Sequence, residues 1–340
     1  MSWLPPDDED DAPEWSEEDV RIRPNPKGSR PRTKQRPAHE DAEPGRVLSV
    51  DRGRYTVLLD EGGPRERLIT ATRARERRGQ AVVTGDLVDV VGDTSGDEGS
   101  LARIVRIGER STLLRRSADD SDPVERVIVA NADRLMVVVA AADPEPRPRL
   151  VDRYLVAAYD AGIEPLLVVT KTDLADPAPF LALFDGLGIP VFRSAAGRVP
   201  VVELAEALAG HRTVAVGHSG VGKSTLVNGL LPEADRSVGE VNPVTGRGRH
   251  TSTSAIALPL AAPYAGWIID TPGVRSFGLG HVAPENVIGA FPDLEEGAAN
   301  CPVGCTHLQP DCALDQWAAE SPTGPARLES FRRLLRSRED

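Results

Sequence analysis

A glycine-rich segment at residues 217–224 constrains the fold of this 340-residue chain more than any other feature. It follows an apolar strand pattern at residues 213–216 and opens a helical pattern at residues 223–231. Glycines in such a loop let backbone N–H groups surround phosphate oxygens, while its lysine and hydroxyl side chains reach the outer phosphates and Mg²⁺. The segment therefore predicts a phosphate-binding loop, the P-loop, which consists of Gly217, His218, Ser219, Gly220, Val221, Gly222, Lys223, Ser224 and Thr225.

The patterns around this loop predict an α/β domain over residues 118–282. Residues 134–140 and 165–169 are continuous apolar strands, and residues 150–161 between them have helical spacing. A β-α-β pattern of this kind is typical of a mainly parallel sheet.

Residues 45–117 carry a different pattern, of short strands separated by glycine-rich turns. The predicted strands cover residues 47–50, 55–59, 68–69, 86–91 and 101–107. About five strands in roughly 70 residues fit a small barrel of the OB or SH3-like kind. Its first half is crowded with arginines, namely Arg52, Arg54, Arg65, Arg67, Arg73, Arg75, Arg77 and Arg78. They predict contact with RNA, although the same side chains could serve only to keep the protein in solution.

Charge and hydropathy limit the classes of partner. The formal net charge of -12 argues against a uniformly basic surface, so any nucleic-acid contact must be regional. Residues 1–44 predict a disordered charged arm, whose basic part at residues 21–36 fits either phosphate contact or a solvated tail. No apolar stretch approaches the ~20 residues of a membrane span, and the acidic N-terminus lacks an export-signal pattern. We therefore expect a soluble cytoplasmic protein without a membrane partner.

A second phosphate-site motif follows the apolar strand at residues 267–269. Asp270 is placed there to bind Mg²⁺ together with Ser224, while the N–H of Gly273 faces the outermost phosphate of a nucleoside triphosphate.

The base of that nucleotide is predicted from two further loops. The first, formed by Thr170, Lys171, Thr172 and Asp173, follows the strand at residues 165–169. A carboxylate there can accept the paired N–H donors of guanine, which adenine lacks, and the lysine stem can cover the base. The second loop would offer backbone N–H groups to guanine O6, from Ser194, Ala195 and Ala196. Taken alone, residues 170–173 also fit an ordinary surface turn after a strand.

All three cysteines of the chain lie within one short segment. Cys301, Cys305 and Cys312 enclose His307, and four such ligands can close a tetrahedral structural Zn²⁺ site with no open position. The alternative, unrelated thiols beside a surface histidine, is weaker because no cysteine occurs elsewhere. The segment has too little apolar content to fold alone, so one bound Zn²⁺ would contribute folding energy directly.

The nucleotide motifs resemble those of translation-factor-type GTPases in a rearranged order, because the base-recognition loops precede the P-loop. Circular permutation leaves a fold intact when the original termini are close together. The permuted order, with a barrel before it and a cysteine–histidine module after it, closely resembles the bacterial ribosome small-subunit-dependent GTPase A family from Gly45 to the C-terminal helix. The resemblance implies an OB-like barrel, a permuted GTPase domain and, over residues 283–340, a helical zinc module that ends in a basic amphipathic helix.

The resemblance also implies an activity and partners. We expect GTP hydrolysis with Mg²⁺, binding of GTP and GDP, and contact with the small ribosomal subunit and its rRNA during late maturation. We expect the protein to act as a monomer.

Single residues follow from the resemblance as well. Residues 248–253, the switch segment, resemble the family's switch I. In it Thr251, with Thr253 as rival, would help to hold Mg²⁺. His250 would orient or deprotonate the attacking water alongside the P-loop Lys223; the alternative is an exposed switch residue or one that contacts rRNA. Two departures stand out: Thr170 replaces the usual asparagine of the guanine motif, and Val274 stands where Ras-like enzymes carry a glutamine. In the zinc segment, each longer gap between ligands is one residue shorter than in the family.

Two other functions fit parts of this pattern. One is a P-loop kinase that phosphorylates a small molecule, although the sequence offers neither an acceptor pocket nor a lid. The other is an RNA-binding assembly protein in which GTP is only a structural ligand. Base selectivity distinguishes the first from a GTPase, and measured turnover distinguishes the second.

Overall fold

The structure is a computed structural model that describes residues 39–73, 81–117, 125–231, 255–271, 277, 279, 282, 284–289, 291–320 and 324–337. Asp41–Asp340 forms one compact unit. Its strands are β1 (Glu43–Asp51), β2 (Arg54–Leu59), β3 (Arg67–Arg73), β4 (Leu87–Gly92), β5 (Ala102–Ile107), β6 (Leu113–Ser117), β7 (Glu125–Ala130), β8 (Arg134–Ala140), β9 (Glu164–Thr170), β10 (Val191–Arg193), β11 (Arg212–Val216), β12 (Ile256–Pro259) and β13 (Trp267–Asp270). Its helices are α1 (Pro148–Asp160), α2 (Ala178–Leu181), α3 (Val201–Leu208), α4 (Lys223–Leu230), α5 (Pro284–Ile288), α6 (Pro292–Ala298), α7 (Ala313–Glu320) and α8 (Gly324–Ser337). Within the described ranges, every helix is too short or too polar to cross a membrane.

Strands β1 to β5 close into a barrel. β1 pairs antiparallel with both β2 and β4, β2 pairs with β3, β4 pairs with β5, and a parallel β3–β5 pair completes the ring. Alternate residues such as Val47, Val57, Ile69 and Ile104 point inward and are buried in the barrel core. This arrangement confirms the predicted OB-like barrel.

The central domain is built on a sheet with the strand order β10-β9-β8-β11-β13-β12. All neighbours in it are parallel except β12, which runs antiparallel to β13. β8 and β9 are continuous apolar runs because helices bury both faces of the sheet, with α1 on one side and α3 and α4 on the other. The mainly parallel α/β sheet was predicted, whereas α3 and β12 were not.

A two-stranded ribbon, also unpredicted, links the barrel to the central domain. β6 pairs antiparallel with β7, and the pair spans the predicted domain boundary at residue 117. The domain boundaries themselves stay predictions.

The C-terminal helices α5 and α8 pack against α1, while α6 and α7 pack against their neighbours in the same module. Nε of Arg333 in α8 lies 3.1 Å and 3.0 Å from the two carboxylate oxygens of Asp152, which is buried in α1. Arg327 forms a two-pronged pair with Asp293 of α6 and also donates to the backbone oxygen of Gly186 over 2.8 Å. These contacts fix the C-terminal module to the central domain through arginines whose charges are paired.

The barrel joins the central sheet edge to edge. β1 pairs antiparallel with β12, with Ser49 opposite Ile256, so the two domains share one 11-stranded sheet. At the first residue of β13, Nε1 of Trp267 donates to the Glu61 carboxylate of the barrel over 2.7 Å. The barrel is therefore hydrogen-bonded to the edge strand of the central domain.

Candidate nucleotide and metal sites

The P-loop connects the carboxyl end of β11 to α4, as predicted. Backbone geometry explains two of its glycines. A Cβ on Gly217 would lie 2.4 Å from the backbone oxygen of Val138 in β8, and Gly222, which caps α4, has a φ of 90° that favours glycine. Ser224 and Thr225 in the first turn of α4 are exposed, so their hydroxyls are open to a ligand at a helix end that attracts anions.

Lys223 and Asp270 lie together at this end of the sheet. Nζ of Lys223 donates to the carboxylate of Asp270, and both side chains are largely buried, with 15% and 17% of their surface exposed. β13 brings the carboxylate there because Asp270 lies opposite Ala215 of β11. The next residue, Thr271, locks this end of the strand by donating its hydroxyl to the Ala215 backbone oxygen over 3.0 Å. When a nucleotide binds, a lysine so placed can contact phosphate oxygens, and the carboxylate can bind Mg²⁺.

The loop at residues 170–173 is tied to the P-loop. The buried Thr170 hydroxyl donates to the backbone oxygen of Val221. Nζ of Lys171 donates to the backbone oxygen of Asp143, in the loop after β8. This partner could not be predicted from the sequence, because a backbone carbonyl carries no side-chain pattern.

The two predicted base-recognition loops meet. The backbone N–H of Thr172 donates to the Ser194 oxygen over 3.1 Å, and the Ala196 N–H donates to Oδ1 of Asp173 over 2.9 Å. Ala195 lies beside them in the turn that follows β10, and the Asp173 side chain is exposed. The carboxylate and the backbone N–H groups predicted to recognise guanine are thus neighbours.

The four predicted zinc ligands form a compact cluster. The ligand atoms of Cys301, Cys305, His307 and Cys312 all lie within 4.8 Å of one another. The sulfurs of Cys301 and Cys312 are 3.7 Å apart, and Nδ1 of His307 lies 3.7 Å and 3.6 Å from them. A tetrahedral site with Zn–S bonds of ~2.3 Å has edges of about 3.7 Å, so the donor set and the distances among Cys301, His307 and Cys312 fit Zn²⁺.

Surrounding groups fix this cluster. The N–H of His307 donates to the sulfur of Cys305 over 3.3 Å, and Arg332 of α8 donates to the His307 backbone oxygen over 2.8 Å. Burial lowers the pKa of His307, so its ring is neutral near pH 7 and keeps a lone pair for a metal. Burial also raises the pKa of the Cys312 thiol to about 12, so a metal must displace the thiol proton when it binds.

Comparison with known proteins assigns the chain to a family. A sequence model described as RsgA GTPase matches residues 107–280, just over half of the chain. The small ribosomal subunit biogenesis GTPase RsgA of Pseudomonas aeruginosa is 40% identical over 266 residues, which cover 76% of each protein. The chain belongs to the RsgA GTPase family. The protein of the same name from Pseudomonas syringae pv. tomato is 41% identical over 266 residues, which cover 76% of this chain and 75% of that protein.

Two solved structures share the fold. YjeQ from Thermotoga maritima matches with a TM-score of 0.62 and 25% identity, over 87% of this chain and 98% of that one. YloQ, described as a circularly permuted GTPase, matches with a TM-score of 0.62 and 21% identity, over 89% and 97%. The predicted family, its permuted fold and its GTPase activity are confirmed, and neither the kinase nor the structural-ligand alternative is favoured.

Several predicted residues of this RsgA-family chain lie outside the described part of the structure. They are the switch residues His250, Thr251 and Thr253, the loop residues Gly273 and Val274, and the barrel arginines Arg75, Arg77 and Arg78. Their roles stay predictions.

Proposed function

We propose that this chain hydrolyses GTP on the small ribosomal subunit during a late step of its maturation, and that the subunit stimulates hydrolysis. The observation that carries the proposal is the pairing of Lys223 with Asp270 beneath the P-loop. The domain that holds this pair is joined to an OB-like barrel, because its edge strand β12 pairs with β1 of the barrel. The relatives named small ribosomal subunit biogenesis GTPase support the choice of ribosomal particle. We place the protein in the cytoplasm, acting as a monomer without membrane attachment.

Exposed arginines on the barrel support contact with rRNA. Arg52 and Arg54 flank the β1–β2 turn, and Arg65 follows β2; all three side chains are exposed. Arg67, by contrast, pairs with Glu43 over 2.7 Å at the barrel surface, so its charge is already compensated. The three exposed arginines are therefore better placed for phosphate contact than Arg67.

The β6–β7 ribbon adds a second basic surface. Arg116 lies directly opposite Arg126, and Arg115 is next in the same strand. Like charges placed directly across a strand pair destabilise it. A phosphate backbone lying on the ribbon would offset that repulsion, which supports an anionic partner for this surface.

In the nucleotide site, Lys223 and Asp270 would each gain a ligand when GTP and Mg²⁺ bind. GTP would draw Lys223 from the carboxylate to the β- and γ-phosphate oxygens, and Asp270, Ser224 and Thr251 would hold Mg²⁺. Asp173 and the residue 194–196 loop would recognise the guanine base.

Hydrolysis measured with purified ribosomal subunits tests this function. We expect small subunits to raise kcat for GTP, and large subunits at the same concentration to leave it near the rate of the free protein. Each assay uses the full chain with Mg²⁺ and saturating GTP. A rate that is equal with and without small subunits would reject the proposed function.

We also propose that Cys301, Cys305, His307 and Cys312 hold one structural Zn²⁺. Metal analysis of the purified protein should then give about one equivalent. Cys305→Ser should lose the metal and open the C-terminal module to protease, because the segment between α6 and α7 depends on metal binding for its folding energy. Asp311→Asn, an exposed neighbour of Cys312, is the matched control and should keep the metal. Full retention of zinc by Cys305→Ser would reject this ligand set.

A further inference from the structure

Thr84 lies where three parts of the molecule meet: the barrel, the β6–β7 ribbon and the start of β12. It is buried, with 2% of its surface exposed. Its backbone oxygen accepts the N–H of Ala130 at the end of β7 over 3.0 Å, and its hydroxyl donates to the backbone oxygen of Ala255 over 2.9 Å. One residue therefore contacts both neighbouring parts through separate polar groups.

The segment that carries Thr84 is held firmly. A Cβ on Gly85, which has a φ of 90°, would lie 2.0 Å from the backbone oxygen of Ala130, so only glycine permits this approach. The fully buried Asp86 accepts hydrogen bonds of 2.7 Å and 2.8 Å from Arg110. The position of the Thr84 hydroxyl is thus fixed relative to both the barrel and the ribbon.

The residue that Thr84 holds leads into the nucleotide site. Ala255 immediately precedes Ile256, which lies opposite Ser49 of the barrel on one side and opposite Asp270 on the other. Asp270 is the carboxylate that contacts the P-loop lysine. A displacement of Ala255 would therefore move the strand that aligns with Asp270.

We infer that Thr84 is a positioning residue for GTP hydrolysis. Through its hydroxyl the barrel fixes Ala255, and thereby the alignment of β12 with Asp270. The inference rests on the proposed function, since rRNA bound to the barrel or the ribbon is what this contact would transmit.

The test removes the hydroxyl while keeping the shape of the side chain. Thr84→Val should lower the kcat measured with saturating small subunits by about three- to tenfold, the loss expected for one buried hydrogen bond. The affinities for GTP and for small subunits, and the rate of the free protein, should stay near wild type. Thr84→Ser, which keeps the donor, should restore most of the stimulated rate.

Two control variants separate this role from general damage. Thr72→Val removes a barrel hydroxyl that donates to the Ala102 backbone oxygen over 3.4 Å, away from β12. Trp267→Phe removes a different hydrogen bond between the barrel and the central domain, at the end of β13 distant from Asp270. Both controls should keep the stimulated rate. An equal loss in Trp267→Phe would show that barrel docking in general matters and would overturn the specific role of Thr84.

A second measurement needs no variant. In the wild-type protein, amide hydrogen exchange of residues 255–258 should slow when small subunits bind in the presence of a non-hydrolysable GTP analogue. Unchanged exchange there, or full stimulation of Thr84→Val alongside a stimulated wild type, would overturn the inference and leave the proposed function standing. A wild-type protein that small subunits do not stimulate would instead overturn the proposed function, and the inference with it.

Discussion

Asp173→Asn is expected to weaken binding of GTP and GDP by roughly 30- to 1,000-fold and to shift preference towards xanthine nucleotides. The carboxylate would accept two hydrogen bonds from guanine, and losing such a charge-assisted pair typically costs ~2–4 kcal/mol. The side-chain amide of asparagine would place an N–H donor against the 2-amino group of guanine, which is also a donor. Xanthine has a carbonyl oxygen at that position and can accept the hydrogen bond. Titration of labelled GDP, ATP and XDP against native and variant protein measures the change.

The structure supplies a matched control for this variant. Asp176 is also exposed, and its carboxylate also accepts one backbone N–H, from Ala178 over 3.0 Å. Asp176→Asn should therefore bind GDP like the native protein, since it has the same charge change three residues away. Equal affinity of the native protein for ATP and GTP would contradict the guanine assignment.

The elements that were predicted correctly are those whose signal is local. The P-loop follows its strand and opens its helix within 20 residues, and the zinc ligands fall within 12, so each pattern contains its own structural context. The barrel was predictable because its strands alternate and are punctuated by glycine turns. β8 and β9 were visible as unbroken apolar runs, since a parallel strand buried on both faces carries no polar alternation.

What the sequence did not predict depends on partners distant along the chain. The contact of Thr84 with Ala255 spans 171 residues, and the pairing of β1 with β12 joins strands that are individually short or unremarkable in composition. Such pairings are set by tertiary packing, which no local pattern records. The β6–β7 ribbon, whose strands are close in sequence, was missed for a different reason: β6 reads Leu-Leu-Arg-Arg-Ser, which has no apolar alternation.

Thr170, which stands where the family resemblance implies an asparagine, has defined hydrogen-bond partners in the structure. Its hydroxyl donates to Val221 and so ties the base-recognition loop to the P-loop, with the Val139 backbone oxygen 3.3 Å away as a second acceptor. A hydroxyl has one proton and can donate to only one of these oxygens at a time. The tie between the loops is therefore present without the usual asparagine.

His250→Ala is expected to remove most of the stimulation of GTP hydrolysis by small subunits, a stimulation that we expect to reach orders of magnitude in kcat. Val274, at the position of the Ras-like glutamine, cannot polarise water, so the free protein should hydrolyse GTP slowly. The family resemblance makes His250 the candidate that orients or deprotonates the water, and general acid–base groups typically contribute 10²–10⁴-fold. A subunit that holds the barrel and the C-terminal module can place this residue by preorganisation, which the free protein reaches only by chance.

The decisive measurement separates kcat from binding. His250→Ala should keep nearly native affinity for GTP, GDP and small subunits, because the proposed role begins only when water attacks the γ-phosphate. His211→Ala is the control: its ring pairs with Asp133 over 3.3 Å before β11 begins, at the end of that strand opposite the P-loop, and it should respond to subunits like the native protein. If His250→Ala is still stimulated in full, the water is positioned by another group. In that case Thr84→Val distinguishes the remaining explanation. If only Thr84→Val loses stimulated kcat, the subunit acts by placing Asp270 and Mg²⁺ and not through the histidine.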